Sequence, residues 1–189
     1  MENTRHIRCC RYSGAMFSAL RKEKDYKPQA LALYKAAMNA ARKPEFYKSL
    51  SVPDTMDGRF DLLMVHMFII LHVLDQGEGP LAQALFDVCF TDVDQALRES
   101  GVGDMKIGKH MKKMMLAFNG RMHAYAEALE SGGLEEALAR NLYATVEKPK
   151  AAHIKTVAGY MKDSIKAASA KQIEAGRISF AAPKGKAKS

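Results

Sequence analysis

Histidine is the residue type in this chain most able to hold a metal or haem, and His66 and His72 form the most suggestive pair. They lie six residues apart in one long apolar segment. On a helix this spacing turns about 240°, so the two rings cannot share one ligand position. We therefore expect His66 to be hydrogen-bonded inside a core, and we predict no haem site.

Other spacings that support catalysis are missing from the sequence. The chain has no His-x-x-x-His pair, no Glu-x-x-His pair and no Gly-x-Ser-x-Gly elbow. Gly101-Val102-Gly103 is too short for a phosphate-binding loop and follows a predicted helix rather than a strand. His6, Cys9 and Cys10 supply three ligands at most. We predict that the protein is not an enzyme, takes no small-molecule substrate and holds no metal or cofactor.

The strongest polar pattern surrounds a corner between two predicted helices within residues 86–125. Gly101 suits the left-handed position after the first helix, and Asp104 suits the N-cap of the second. Asp94 and Arg98 are four residues apart, so they can form an ion pair across one helical turn. Such a pair alone would be an ordinary feature of an exposed helix surface, with no role in binding.

We interpret these charges as a polar rim beside an apolar groove, which would give a bound polypeptide its specificity. The predicted partner-binding residues are Asp92, Asp94, Arg98, Glu99, Asp104, Met105, Lys109, Lys112 and Met115.

Methionine is the other unusual feature of this region, since several of the chain's twelve crowd the second helix. Unbranched, polarizable side chains can repack against varied apolar surfaces. Met111, Met114 and Met122 lie on the apolar stripe of the helix, where filling a core explains them. Met105 and Met115 lie off the stripe, so we expect these two to be exposed.

The elements that would position this surface are all predicted to be helical. Residues 60–74 form the longest apolar run, about 22 Å as a helix and short of the ~30 Å hydrocarbon core of a bilayer. It indicates a helix buried nearly all round. No alternation of period two reaches strand length. We predict an all-α, single-domain bundle of about six to seven helices around this buried central helix.

Towards the end of the chain, helices are predicted from Leu134 to Thr145 and from Ala151 to Ala175. Ile178 and Phe180 are expected to tuck onto the bundle. For the domain organisation we expect residues 1–15 to be a disordered extension, 16–180 the helical domain and 181–189 a basic disordered tail.

Charge is distributed unevenly along the chain. The net charge of +8 divides into +4 over residues 1–27, −4 over residues 28–147 and +8 over residues 148–189. Basic ends attract phosphate-rich surfaces, either anionic lipid headgroups or ribosomal RNA. Three cysteines provide no disulfide framework, which favours a reducing compartment.

Several short motifs, taken in order, resemble the ubiquinol–cytochrome c chaperone family. The first is ALYKAAMNAARKPEFYKSLSVPDTMDGRFDLLMVH over residues 32–66, with Phe46-Tyr47 and Val52-Pro53-Asp54-Thr55 inside it. LRESGVGD, a lysine-bearing helix and GRMHAY then follow in the corner region. The resemblance extends from about Met16 to about Phe180.

This resemblance implies an all-helical chaperone without catalysis. It implies that the client is newly made cytochrome b of respiratory complex III, with a small helper subunit as a further partner. In a bacterium the protein would be cytoplasmic and peripheral to the inner membrane; in a eukaryote it would lie in the mitochondrial matrix. The alternative is a ribosome- or RNA-associated binding module that uses the basic C-terminal region.

Overall fold

The computed structural model describes residues 25–74 and 79–183, and within these ranges the chain is helical with no β-strand. Six of the helices have eight residues or more, and α2 and α8 have five. The all-α prediction is confirmed. The helices are α1 Lys27–Ala41, α2 Pro44–Lys48, α3 Met56–Val73, α4 Pro80–Glu99, α5 Asp104–Ser131, α6 Leu134–Asn141, α7 Ala151–Ala167 and α8 Ala170–Glu174.

Helix α3 is the buried centre of the bundle. Its residues from Asp61 to Leu71 are all buried, on every side of the helix. Because the apolar side chains follow no single face, the helix needs neighbours all round, and α1, α5 and α7 pack directly against it. This confirms the central helix predicted from residues 60–74. None of the described helices is both long and apolar enough to cross a bilayer.

The start of α3 is fixed by its N-cap. The side chain of Thr55 accepts a hydrogen bond from the backbone N–H of Gly58 at 3.1 Å, which satisfies a donor that the helix cannot pair internally. Gly58 also lies against Pro53. A Cβ atom on Gly58 would stand 2.2 Å from the Pro53 carbonyl oxygen, so glycine is required for this close approach.

The remaining helices wrap around this centre. Helix α1 packs against α3 and α4, α5 packs against α4 and α6, and α6 packs against α7. Each of the two short helices contributes one buried side chain to the bundle: α2 buries Phe46, and α8 buries Ile173. One continuous apolar core therefore joins elements that are far apart in sequence.

Two predicted helix boundaries near the C-terminus are wrong. The helix predicted to reach Thr145 ends at Asn141, because the chain then turns to bury Leu142 and Tyr143. The hydroxyl of Tyr143 donates to the carbonyl oxygen of Leu50 at 2.8 Å. This contact ties the turn to the segment before α3.

The single long helix predicted from Ala151 to Ala175 is also wrong, since extended backbone at Ala168 and Ser169 divides it into α7 and α8. The break lets Ile173 reach the core, where it is fully buried. The chain then runs back along α7, and the Ala181 N–H donates to the Ser164 hydroxyl at 3.1 Å. Ile178 and Phe180 pack partly buried against the core, as predicted.

The predicted extension over residues 1–15 lies outside the described residues, as does most of the predicted tail, residues 184–189.

Candidate binding surface at the α4–α5 corner

The corner between α4 and α5 is a tight turn of four residues. Gly101 has φ +79°, the left-handed conformation predicted for it. The Gly101 N–H donates to the Arg98 carbonyl oxygen at 3.0 Å, and the Val102 N–H donates to the Leu97 carbonyl oxygen at 3.2 Å. These bonds satisfy the end of α4 and direct the chain into α5.

The predicted pairing of Arg98 with Asp94 is confirmed, and it extends to Asp104. The Arg98 Nε donates to one carboxylate oxygen of Asp94 at 2.7 Å, and Nη2 donates to the other at 3.3 Å. The Nη1 of Arg98 donates to Asp104 at 3.0 Å. Arg98 therefore links the last turns of α4 to the first turn of α5 across the corner.

The N-cap role predicted for Asp104 is wrong. Gly103 occupies the cap position with no side-chain hydrogen bond, and Asp104 is the first helical residue. Its carboxylate turns to Arg98 instead of capping the helix. An acid at this position still faces the positive end of the helix dipole, and the Arg98 pairs, being exposed, add little to stability.

Two further predicted rim residues, Asp92 and Glu99, also have partners within the protein. The Tyr34 hydroxyl donates to Asp92 at 2.7 Å and so joins α1 to α4. Burial, together with this hydrogen bond, raises the pKa of Tyr34 well above its usual value. Glu99 accepts a hydrogen bond from Gln95 on its own helix at 2.8 Å. Asp92 thus links two helices through its hydrogen bond, and both Asp92 and Glu99 remain exposed.

On α5 the predicted site residues divide by exposure. The side chain of Met105 is 99% exposed, and Lys109 and Lys112 are exposed on the same side of the helix. Met115 is half-buried and packs against the core, so the expectation that it is exposed is wrong. Its neighbour Leu116, which the sequence analysis did not single out, is 63% exposed.

Helix α5 has few buried residues for its length. Its four buried residues are Ile107, Phe118, Tyr125 and Ala128. The stripe methionines Met111, Met114 and Met122 are half-buried and pack against the core, as predicted. The helix therefore offers a partly open, methionine-bearing flank beside the charged corner.

Aromatic rings secure the middle of this helical pair. Phe86 and Phe90 on α4 stand 4.4 Å apart, and the ring of Phe118 on α5 meets them edge-on at 5.3 and 5.7 Å. Nearer the corner, Val93 and Ile107 are buried but lie outside the main core cluster.

A buried ion pair, unseen in the sequence, joins α5 to α3. Arg121 pairs with Asp61 at 2.5 Å, and both side chains are largely buried. Burial raises the pKa of Asp61 to about 6, and the attraction of Arg121 offsets only part of that effect. The buried hydroxyl of Tyr125 has no hydrogen-bond partner among the described residues.

His66 is the core histidine that the sequence predicts. Its Nε2 lies 2.8 Å from the Tyr160 hydroxyl, and its Nδ1 lies 2.8 Å from the Leu62 carbonyl oxygen. Phe46 and Phe180 pack edge-on against the ring. Burial lowers the pKa of His66 to about 4. His72 sits elsewhere, against Phe68. Among residues 25–74 and 79–183, no three metal-ligating side chains gather.

A hollow of about 370 Å³, open to solvent, lies away from the corner, where the C-terminal segment runs beside α7. Small and polar residues line it, among them Gly159, Tyr160 and Lys155.

The family model of the ubiquinol-cytochrome C chaperone matches residues 48–178. This match spans most of the chain. The protein belongs to the ubiquinol–cytochrome c chaperone family. The family resemblance seen in the sequence is thereby confirmed, and the matched range includes the whole α4–α5 corner.

A solved structure of this family's fold agrees with the assignment. The crystal structure of the Cbp3 homolog from Brucella abortus is 35% identical in sequence and superposes with a TM-score of 0.72. The alignment covers 85% of this chain and 93% of the Brucella chain. Comparison with curated proteins gives no match. The family assignment therefore rests on two independent findings, one from sequence and one from structure.

Proposed function

We propose that this chaperone-family protein binds newly made cytochrome b during assembly of ubiquinol–cytochrome c reductase, and that it does so without catalysis. The observation that carries the proposal is the family match across residues 48–178, which includes the corner and both of its helices. The corner has the features of a protein-binding surface: exposed charges in fixed positions beside half-buried methionines.

In this proposal, the corner residues determine which client binds. Arg98 holds Asp94 and Asp104 in place before any partner arrives, so a polar loop of the client meets charges that are already oriented. Glu99, Met105, Lys109 and Lys112 extend the rim along α5. Asp92 supports the rim through its bond to Tyr34, and Met115 supports it through its contact with the core.

The apolar part of the client would meet the methionine-bearing flank of α5. Methionine side chains adapt to different apolar shapes, as a chaperone for a hydrophobic membrane protein requires. Binding and release would follow simple equilibrium, with a small helper subunit as a second partner. We further propose that the protein works at the membrane face where cytochrome b is made, in the bacterial cytoplasm or the mitochondrial matrix.

The alternative, an RNA-associated module, depends on basic residues of the C-terminal third. Lys150, Lys155, Lys162 and Lys166 are indeed exposed. The family match supports the chaperone proposal, because it covers the corner and extends to residue 178.

Replacement of Arg98 by alanine tests the proposal, and the chain offers a matched control. Arg59 also forms an exposed pair with an aspartate, Asp54, at 2.7 Å, but on α3. We expect R98A to reduce the cytochrome b that co-purifies with the protein about tenfold, equivalent to ~1.4 kcal/mol of binding free energy, while R59A leaves it unchanged. Equal recovery from R98A, R59A and the wild type would show that the corner does not bind this client.

A further inference from the structure

The outward face of the first half of α5 is strongly basic. Lys106, Lys109, Lys112 and Lys113 are all exposed there. The sequence has no aspartate or glutamate from residue 105 to residue 126. Four like charges over about two helical turns repel one another, so this face favours an anionic partner.

The nearby carboxylates do not neutralise these lysines. Asp94 and Asp104 at the corner are both bonded to Arg98. Arg121, further along α5, is paired with Asp61 inside the bundle. Within the described part of the chain, none of the four lysines lies within 4.0 Å of a carboxylate oxygen.

Two exposed apolar side chains stand among the lysines. Met105 is 99% exposed, and Leu116 is 63% exposed. At 100° per residue both point away from the buried stripe of Ile107 and Phe118, and they are about 16 Å apart along the helix. Exposed apolar side chains among lysines are typical of helices that lie on a membrane surface.

We propose that this lysine face, formed by Met105, Lys106, Lys109, Lys112, Lys113 and Leu116, docks the protein on an anionic phospholipid surface. The lysines attract the headgroups, and Met105 and Leu116 insert into the boundary between headgroups and acyl chains. A phosphate backbone of RNA would attract the same lysines. The exposed apolar pair favours lipid, since no phenylalanine, tyrosine, tryptophan or arginine is exposed on this face between residues 104 and 120 to stack on bases, and His110 at its edge is the one exposed ring there.

Vesicle co-sedimentation of the purified protein, without any client, tests the proposal separately from cytochrome b binding. The probe is a vesicle of phosphatidylcholine with phosphatidylglycerol, compared with phosphatidylcholine alone. We expect binding to the anionic vesicles that weakens with salt. Replacing the four lysines by glutamine should lower the partition coefficient at least tenfold, because each lysine contributes about fivefold.

A charge-matched control separates this face from net charge alone. Glutamine at Lys148, Lys150, Lys162 and Lys166, which are exposed elsewhere, removes the same charge and should lower the partition coefficient far less. The variant M105S/L116S keeps every lysine and should still bind vesicles several-fold more weakly.

Equal losses from the two glutamine sets would overturn the proposal, as would full vesicle binding by M105S/L116S. Tighter binding of a short single-stranded RNA than of anionic vesicles, unaffected by M105S/L116S, would assign the face to RNA instead.

Discussion

Individual polar residues inside this bundle have distinct roles, and His66 illustrates one of them. Its ring is enclosed by Phe46, Tyr160 and Phe180, and its hydrogen bonds are made within the protein. The sequence predicted this burial because His66 lies inside an apolar run with no ligand partner at helical spacing. The ring is therefore part of the core.

The buried His66 should make stability depend on pH. In the unfolded chain His66 binds a proton with the ordinary histidine pKa of about 6.5. In the folded protein burial lowers this pKa to about 4. The stability contribution is complete above pH 6.5 and is lost as the pH falls towards 4. We expect the free energy of unfolding of H66Q, measured in urea, to fall less over this range than that of the wild type. The exposed His110, changed to glutamine, is the control and should behave like the wild type.

The contribution of the Asp61–Arg121 pair to stability should change with pH in the direction opposite to that of His66. The raised pKa of Asp61 means that its contribution is complete below the ordinary pKa of 3.8 and is lost as the pH rises through about 6. At neutral pH the buried carboxylate therefore needs Arg121.

We expect R121M to cost about 3 kcal/mol at pH 7, because it leaves this charge unpaired, and much less at pH 4. The double variant D61N/R121M should recover most of the loss in urea unfolding. An equal cost for R121M at both pH values would show that packing, and not charge, explains the effect.

At the scale of elements, the sequence predicted what local patterns encode. The long apolar run predicted α3, and the glycines between the two helices predicted the α4–α5 turn. The spacing of Asp94 and Arg98 predicted their ion pair. The Asp61–Arg121 pair could not be predicted, because its members are far apart in sequence and follow no shared period. The break between α7 and α8 could not be predicted either, because no proline or glycine marks it in the sequence. The burial of Ile173 accounts for it instead.

Two glycines inside helices should respond oppositely to alanine. A Cβ at Gly58 would collide with the Pro53 carbonyl oxygen, so G58A should lower the free energy of unfolding by about 1–3 kcal/mol. Gly108 on α5 has open space around the same position, so G108A should raise it by up to ~1 kcal/mol through helix propensity. Thermal unfolding of the two variants measures both. A neutral G58A would mean that the turn before α3 is free to move.

At the scale of the whole molecule, the α4–α5 pair carries two distinct surfaces. The α4–α5 corner presents ordered charges, and the outward side of α5 presents lysines with two apolar residues. Both surfaces belong to the region matched by the family model. A membrane-protein client and the lipid around it can thus be contacted by the same pair of helices.

Site-specific photo-crosslinking in the cells that naturally make this protein tests the central proposal most directly. A crosslinking amino acid replaces the exposed Glu99 at the corner, and an identical one replaces the exposed Lys162 on α7 as the control. We predict that newly made cytochrome b is captured from position 99 and not from position 162. Complex III assembly that proceeds normally while position 99 captures no cytochrome b would contradict it.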